Sequence, residues 1–218
     1  MPLKVQPPIL YLITSGATSA TTTPASKEFQ DILTTLRAAV ASHINLFQIR
    51  EKRLTARTLF ELALRAAEIT AGSGTRLLVN DRADVARGAG ADGVHLAANS
   101  ISAAVIRQTF GEDFLIGAST HSLEQVRTAS TEGADFAVFG PVFDTASKRQ
   151  YGSPVGLAAL KQAAEIVAPF PVLALGGVSL TNASECLRAG ASGIAGINLF
   201  ADPASFKSVV AAIAAKES

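Results

Sequence analysis

The residues best suited to chemistry are spaced in twos or sit where apolar runs end. Gln48, Arg50 and Lys52 alternate within Gln48-Ile49-Arg50-Glu51-Lys52. On an extended chain they project to one side. Two cations on one face suit a diphosphate; the bland alternative is a strand end paired with Glu51 or Asp81. Asp81, in Asn80-Asp81-Arg82, can pair with Arg50 or Arg82 or ligate a metal. Mg²⁺ takes one or two carboxylates plus substrate phosphate oxygens. Lys148 and Arg149 stand in a Ser/Thr/Gly-rich stretch that can clamp phosphate or be merely solvated. Gly176-Gly177 lets backbone approach an anion, or makes a tight turn. His121, between Thr120 and Ser122, is the best acid–base candidate. His95 lies inside an apolar run and reads as a satisfied interior group, and His43 as a surface group at a helix end. No Ser-His-Asp or Cys-His nucleophile can be assembled. The single cysteine, Cys186, excludes an intramolecular disulfide and a multi-cysteine metal site, and reads as core.

Something must position these groups. Short, near-continuously apolar runs recur at Ile9–Thr14, Asn45–Ile49, Arg76–Asn80, Gly93–Leu96, Phe114–Ala118, Phe136–Phe139, Val172–Leu175 and Gly193–Gly196. That texture suits parallel strands covered on both faces. Alanine-rich amphipathic segments alternate with them: Ser26–Ser42, Thr55–Ala71, Ala83–Gly88, Ser102–Phe110, Leu123–Glu132, Leu157–Val167, Leu180–Ala189 and Pro203–Ala215. Thr55, Ser122 and Ser179 are expected N-caps, with Gln125 completing a capping box. Gly90-Ala91-Asp92, Gly133-Ala134-Asp135 and Gly190-Ala191-Ser192 recur between helix and strand, where Gly suits a left-handed C-cap. Eight βα units predict a (β/α)₈ TIM barrel spanning residues 1–218 as a single domain, with an open doubly wound sheet as the alternative. In such a barrel chemistry gathers where strands end, and the polar residues above all fall there. Ser15–Ala25 and Asp144–Pro154 are long loops of the kind that carry function.

Composition narrows the partners. The 218 residues are 48% hydrophobic and 17% charged, with 19 basic against 18 acidic side chains and a net charge of +1. That balance argues against nucleic acid. No apolar stretch nears the ~18 residues of a membrane span. Met1–Pro8 lacks a secretory pattern, so a cytoplasmic protein is expected. The expected partners are small phosphorylated molecules, with a homo-oligomer left open.

The ordered set Gln48-Ile49-Arg50-Glu51-Lys52, Asn80-Asp81-Arg82, Gly93-Val94-His95-Leu96, Ser119-Thr120-His121-Ser122, Gly133-Ala134-Asp135, Phe139-Gly140-Pro141-Val142-Phe143 and Gly176-Gly177 resembles the thiamine phosphate synthase family, which includes a thiazole tautomerase branch. The resemblance covers about Ile9 to Pro203. It implies a barrel that joins a hydroxymethylpyrimidine diphosphate to a thiazole phosphate with loss of pyrophosphate. It further implies that Gln48 positions the pyrimidine with Asn80 and Ser119 nearby. Arg50, Lys52 and Lys148 would bind the diphosphate, within the Gln48–Lys52 stretch that also holds Ile49 and Glu51. Asp81 would hold Mg²⁺. Thr145, Ala146 and Ser147 would line the thiazole phosphate site, and Gly177, Ile197 and Asn198 would bind that phosphate through backbone groups.

Two departures stand out. The family's second metal-ligating Asp, after the fourth strand, corresponds to Ser100 in Ala97-Ala98-Asn99-Ser100. The usual Val-Ser pair at the eighth strand reads Ile197-Asn198. The tautomerase branch shares the Ser100 change and assigns its acid–base work to a histidine matching His121, but tends to lose Gln48, Lys52 and Asp81, which this chain keeps. A non-catalytic phosphate-binding barrel is a third reading.

Overall fold

Eight parallel strands close on themselves in chain order, each hydrogen-bonded to the next and β1 to β8. The structure, a computed structural model, describes residues 6–145 and 153–215. The strands are β1 (Ile9–Ile13), β2 (Leu46–Ile49), β3 (Arg76–Asn80), β4 (Gly93–Leu96), β5 (Leu115–Thr120), β6 (Phe136–Phe139), β7 (Val172–Ala174) and β8 (Gly193–Gly196). The helices between and after them are α1 (Lys27–Ala41), α2 (Ala56–Thr70), α3 (Ala83–Gly88), α4 (Ala103–Phe110), α5 (Leu123–Thr131), α6 (Gly156–Val167), α7 (Ala183–Arg188) and α8 (Phe206–Ala214). This is the (β/α)₈ barrel expected from the alternation of elements. No helix among the described residues is long and apolar enough to cross a membrane.

The continuous burial of the strands has a simple cause. One set of side chains meets the helices; the alternate set fills the barrel. The inner set includes Ile9, Tyr11, Ile13, Leu46, Leu78, Leu115, Phe136, Val138, Leu173 and Ala195. Gly117 makes room for two large neighbours. A Cβ there would lie 2.4 Å from Phe136 Cζ and 2.7 Å from His95 Nδ1. Gly117→Ala would therefore force the inner layer apart.

The Gly-Ala-Asp repeats acquire a purpose. Gly90 and Gly133 have positive φ and end their helices. The following acid then holds the start of the preceding strand: Asp92 Oδ2 accepts from Leu77 N at 2.7 Å, and Asp135 Oδ2 accepts from Ile116 N at 2.7 Å. Asn45 Oδ1 does the same for Leu10 N at 2.8 Å. These bonds satisfy backbone groups that a strand start would otherwise leave unpaired.

Three local expectations are revised. β5 runs two residues further than expected, so Ser119 and Thr120 belong to the strand. Ser179 is not an N-cap: its backbone N–H donates to Asn182 Oδ1 at 2.8 Å in a turn, and α7 begins at Ala183. Ser122 does cap α5 by accepting from Gln125 N, but Gln125 Oε1 accepts from His121 N at 2.6 Å rather than closing a box on Ser122. Cys186 is fully buried, and burial pushes its thiol up to about 12, so it is an inert core group.

Candidate active site

The strand C-terminal ends surround a cavity of about 270 Å³. Gln48, Arg50 and Lys52 all line it, while Ile49 and Glu51 do not. Alternation sorts the end of β2, with Gln48 toward the cavity and Ile49 packed between sheet and helices. Beyond the strand, Arg50 and Lys52 reach the cavity from the following turn, and Lys52 also borders a cleft at the rim with Ile49 and Glu51. Glu51 is 3% exposed, and its carboxylate accepts from Gly16 N, Thr18 N and Thr18 Oγ1 at 3.1, 3.1 and 2.6 Å. It pins the β1–α1 loop beside the mouth. Thr14 Oγ1 accepts from Arg50 N at 2.8 Å and ties β1 to the same turn.

Asn80, Ser119, His121, Gly176 and Ile197 line the same cavity. Gly176 and Gly177 both have positive φ, and a Cβ at Gly176 would fall 2.5 Å from Pro141 Cα. The glycine pair is therefore required by close packing against the end of β6. Asn198 lies on the other side of Ile197, facing a second cavity of about 310 Å³ between β1, α1 and β8. Thr145 ends the described part of the β6–α6 connection. Ala146, Ser147 and Lys148 lie outside the described residues.

Asp81 sits at the rim, in a cleft that shares Lys52 and Asn80 with the mouth. Its φ of 57° is left-handed, uncommon for a non-glycine residue and frequent at functional positions. Hydrogen bonds hold it there: its N–H donates to His95 O at 2.9 Å, Asn80 Nδ2 donates to Oδ2 at 2.7 Å, and Ala97 N donates to Oδ1 at 2.9 Å. The Ser100 hydroxyl also donates to Oδ1. Among the described residues no group of three or more His, Cys, Asp or Glu converges as a metal cage. One carboxylate flanked by a hydroxyl fits a Mg²⁺ that draws its other ligands from water and a substrate diphosphate.

His121 is exposed at the mouth, and its Nδ1 is hydrogen-bonded to Gly140 O. A carbonyl only accepts, so it is Nδ1–H that donates, and Nε2 is the nitrogen left for other contacts. Gln125 anchors the backbone of His121, a link hidden in sequence behind the capping-box pattern.

Sequence reasoning treated His95 as satisfied, and the structure qualifies that. Nε2 lies 2.9 Å from Ser119 Oγ, but Nδ1 is buried without a partner among the described residues. Tyr11 was not singled out at all. Its ring fills the barrel beneath the cavity, 5.6 Å from the His95 ring and 5.5 Å from that of Phe136. Burial lowers the His95 pKa to about 4 and raises that of Tyr11 well above its ordinary value. Period-two counting from Ile9 and Ile13 would have placed Tyr11 inside.

Comparison with known proteins gives a consistent picture. Residues 10–200 match the family model described as thiamine monophosphate synthase. A Geobacter sulfurreducens protein provisionally named as a thiamine-phosphate synthase is 46% identical over 175 residues, covering 80% of this chain and 82% of that protein. The thiamine-phosphate synthase of Methanoculleus marisnigri is 43% identical over 162 residues, covering 74% and 76%. Among solved structures, the thiamine phosphate pyrophosphorylase of Pyrococcus furiosus superposes with a TM-score of 0.76 at 27% identity, covering 94% of this chain and 96% of that one. With the family model spanning most of the barrel and a cation-bearing mouth in place, this chain belongs to the thiamine monophosphate synthase family.

Proposed function

We propose that this chain is a thiamine phosphate synthase. It joins 4-amino-2-methyl-5-hydroxymethylpyrimidine diphosphate to 4-methyl-5-(2-phosphooxyethyl)thiazole. The observation that carries the reading is the convergence of Arg50 and Lys52 on the cavity that Gln48, Asn80 and Ser119 also line.

The bond that breaks is the C–O bond to the diphosphate, which leaves with the electron pair. The bond that forms joins the pyrimidine methylene to the thiazole nitrogen. Negative charge develops on the leaving group, so fixed cations at that place lower the barrier. Arg50 and Lys52 supply them; Lys148, outside the described residues, would join them as the family resemblance implies. Asp81 holds Mg²⁺, which neutralises diphosphate charge when bound. The thiazole nitrogen already has its lone pair and no proton to lose, so no strong base is needed. Gln48, Asn80 and Ser119 orient the pyrimidine. As the resemblance implies, Thr145, Ala146 and Ser147 would line the thiazole phosphate site, and backbone groups of Gly177, Ile197 and Asn198 would bind the phosphate. Excluding water protects the carbocation until the thiazole reaches it.

A thiochrome fluorescence assay with both substrates, with and without Mg²⁺, tests this. Mg²⁺-dependent product is expected. No product from folded protein beside an active control enzyme would overturn the reading.

One observation favours a second reading. His121, with Nδ1 tethered and no partner for Nε2 among the described residues, stands at the mouth where a base would. A thiazole carboxylate phosphate tautomerase would use it without metal. Metal-independent deuterium uptake into that compound, lost in His121→Ala, would support this alternative.

A further inference from the structure

Ser119 has a hydroxyl that can donate or accept, and its surroundings decide which. Behind it stands His95, 3% exposed, with Nε2 2.9 Å from Ser119 Oγ. The imidazole is walled in by the rings of Tyr11 and Phe136, at centroid distances of 5.6 and 6.0 Å. Gly117 closes the remaining side against Nδ1. The ring's only side-chain hydrogen-bond partner among the described residues is the Ser119 hydroxyl, with no carboxylate bonded to it to hold a second proton, so it is the neutral imidazole with one proton.

That proton has two possible seats. On Nδ1 it would be a buried N–H with no acceptor among the described residues. On Nε2 it has Ser119 Oγ as acceptor and leaves only a bare lone pair on Nδ1. An orphaned buried N–H is rarer and costlier than an under-used acceptor. The Nε2–H form therefore wins. Ser119 Oγ then receives a hydrogen bond from behind, and its own proton is turned toward the cavity.

The neighbouring amides are wired by the same logic. The Asp81 carboxylate can only accept, so Asn80 must present Nδ2 to it, at 2.7 Å. That leaves Asn80 Oδ1 to accept from Gln48 Nε2, at 3.0 Å. The Gln48 amide is thereby oriented, with Oε1 an acceptor that has no partner among the described residues.

We infer that His95 is a positioning residue that acts through Ser119: as the Nε2–H imidazole it makes that hydroxyl a hydrogen-bond donor toward a ligand acceptor, such as a heteroaromatic ring nitrogen. Resting on the synthase reading, the acceptor is a pyrimidine nitrogen. The inference goes beyond that reading because it assigns His95, which lines the floor of the cavity, a role exerted through the Ser119 hydroxyl.

Two measurements test it separately. The first needs no activity. Two-bond ¹H–¹⁵N correlation spectra of ¹⁵N-histidine-labelled protein report the tautomer, with His95→Gln identifying the signal among three histidines. A protonated Nε2 and a bare Nδ1 are expected; the Nδ1–H form or an imidazolium overturns the inference even if thiamine phosphate is made. The second is a double-mutant cycle on KM for the pyrimidine diphosphate. His95→Leu is expected to raise KM about tenfold, and to add little once Ser119→Ala is present, because a shared hydrogen bond can be lost only once. His95→Gln, which retains an N–H donor, recovers part of the loss. Additive effects would mean that His95 only fills space. Should His95→Leu fail to fold, the wild-type spectrum and His95→Gln still decide. If the wild type makes no product while the Nε2–H form is observed, the synthase reading fails and the tautomer assignment stands.

Discussion

The hydroxyl of Ser100 donates to Oδ1 of Asp81, across the gap between the β4–α4 and β3–α3 connections. A neutral donor thus stands where the family resemblance expects a second carboxylate. Asp81 is held in its left-handed conformation by this bond together with those from Ala97 and Asn80.

Metal affinity follows from that pair. With one carboxylate, Mg²⁺ alone should bind weakly and bind better once inorganic pyrophosphate supplies oxygen ligands. Ser100→Asp adds a charge and removes a donor. It should tighten Mg²⁺ about tenfold, since affinity rises with ligand charge, and lower the metal-free melting temperature through like-charge repulsion. Calorimetric titration and thermal denaturation, each with and without Mg²⁺, read both. Equal Mg²⁺ affinity in the two proteins would remove Asp81 as the ion's ligand.

The diphosphate reading makes Arg50 the most sensitive cation. Arg50→Ala should lower kcat/KM at least ~100-fold, as loss of one charge-stabilising donor typically does. Arg50→Lys should recover only part, because an ammonium cannot reproduce the planar fork of a guanidinium. An unchanged thiochrome rate in Arg50→Ala would move the diphosphate elsewhere.

His95 links stability to pH. Its folded pKa is about 4, against an ordinary 6.5, because burial disfavours the charged ring. Between those values the unfolded chain binds a proton that the folded chain refuses. Stability is therefore full above 6.5 and falls as pH drops toward 4, by about 3 kcal/mol across the window. Urea midpoints at several pH values, for wild type and His95→Gln, isolate this slope from that of the carboxylates. Parallel pH profiles would show that the ring is not kept neutral.

At the opposite end of the barrel, Arg107 NH2 meets Asp135 Oδ2 at 2.8 Å, with side chains 14% and 7% exposed. Arg107 also donates to the carbonyls of Gly111, Phe114 and Gly133. Burial already raises the Asp135 pKa, and Arg107 opposes that rise. Arg107→Met leaves the acid buried with the Ile116 amide but without its counter-ion, at a cost of about 3 kcal/mol. A fall of about 10 °C in melting temperature is expected by calorimetry, with KM at the mouth unaffected. A shift under a few degrees would reduce the pair to surface decoration.

Much of this molecule follows from short-range pattern. The apolar runs and alanine-rich segments place all eight strands and helices, because burial on both faces and helical propensity act within a few residues. Period two along β2 is enough to send Gln48 to the cavity and Ile49 to the core, while Arg50 and Lys52 reach the cavity from the turn beyond the strand. The ordered motifs identify the family without any coordinates. Pairing and closure of the strands decided the rest. Tyr11 on β1 meets His95 on β4 and Phe136 on β6 only across the closed interior, where register and stagger determine which layers coincide. The same closure leaves Nδ1 of His95 without a partner among the described residues, while pairing of neighbouring strands brings its Nε2 to Ser119 and sets Ser100 against Asp81. That pairing also commits Glu51 to the β1–α1 loop. A local window cannot hold such contacts: the His95–Ser119, Ser100–Asp81 and Glu51–Thr18 bonds need the register of neighbouring strands, and the Tyr11 contacts need the barrel closed.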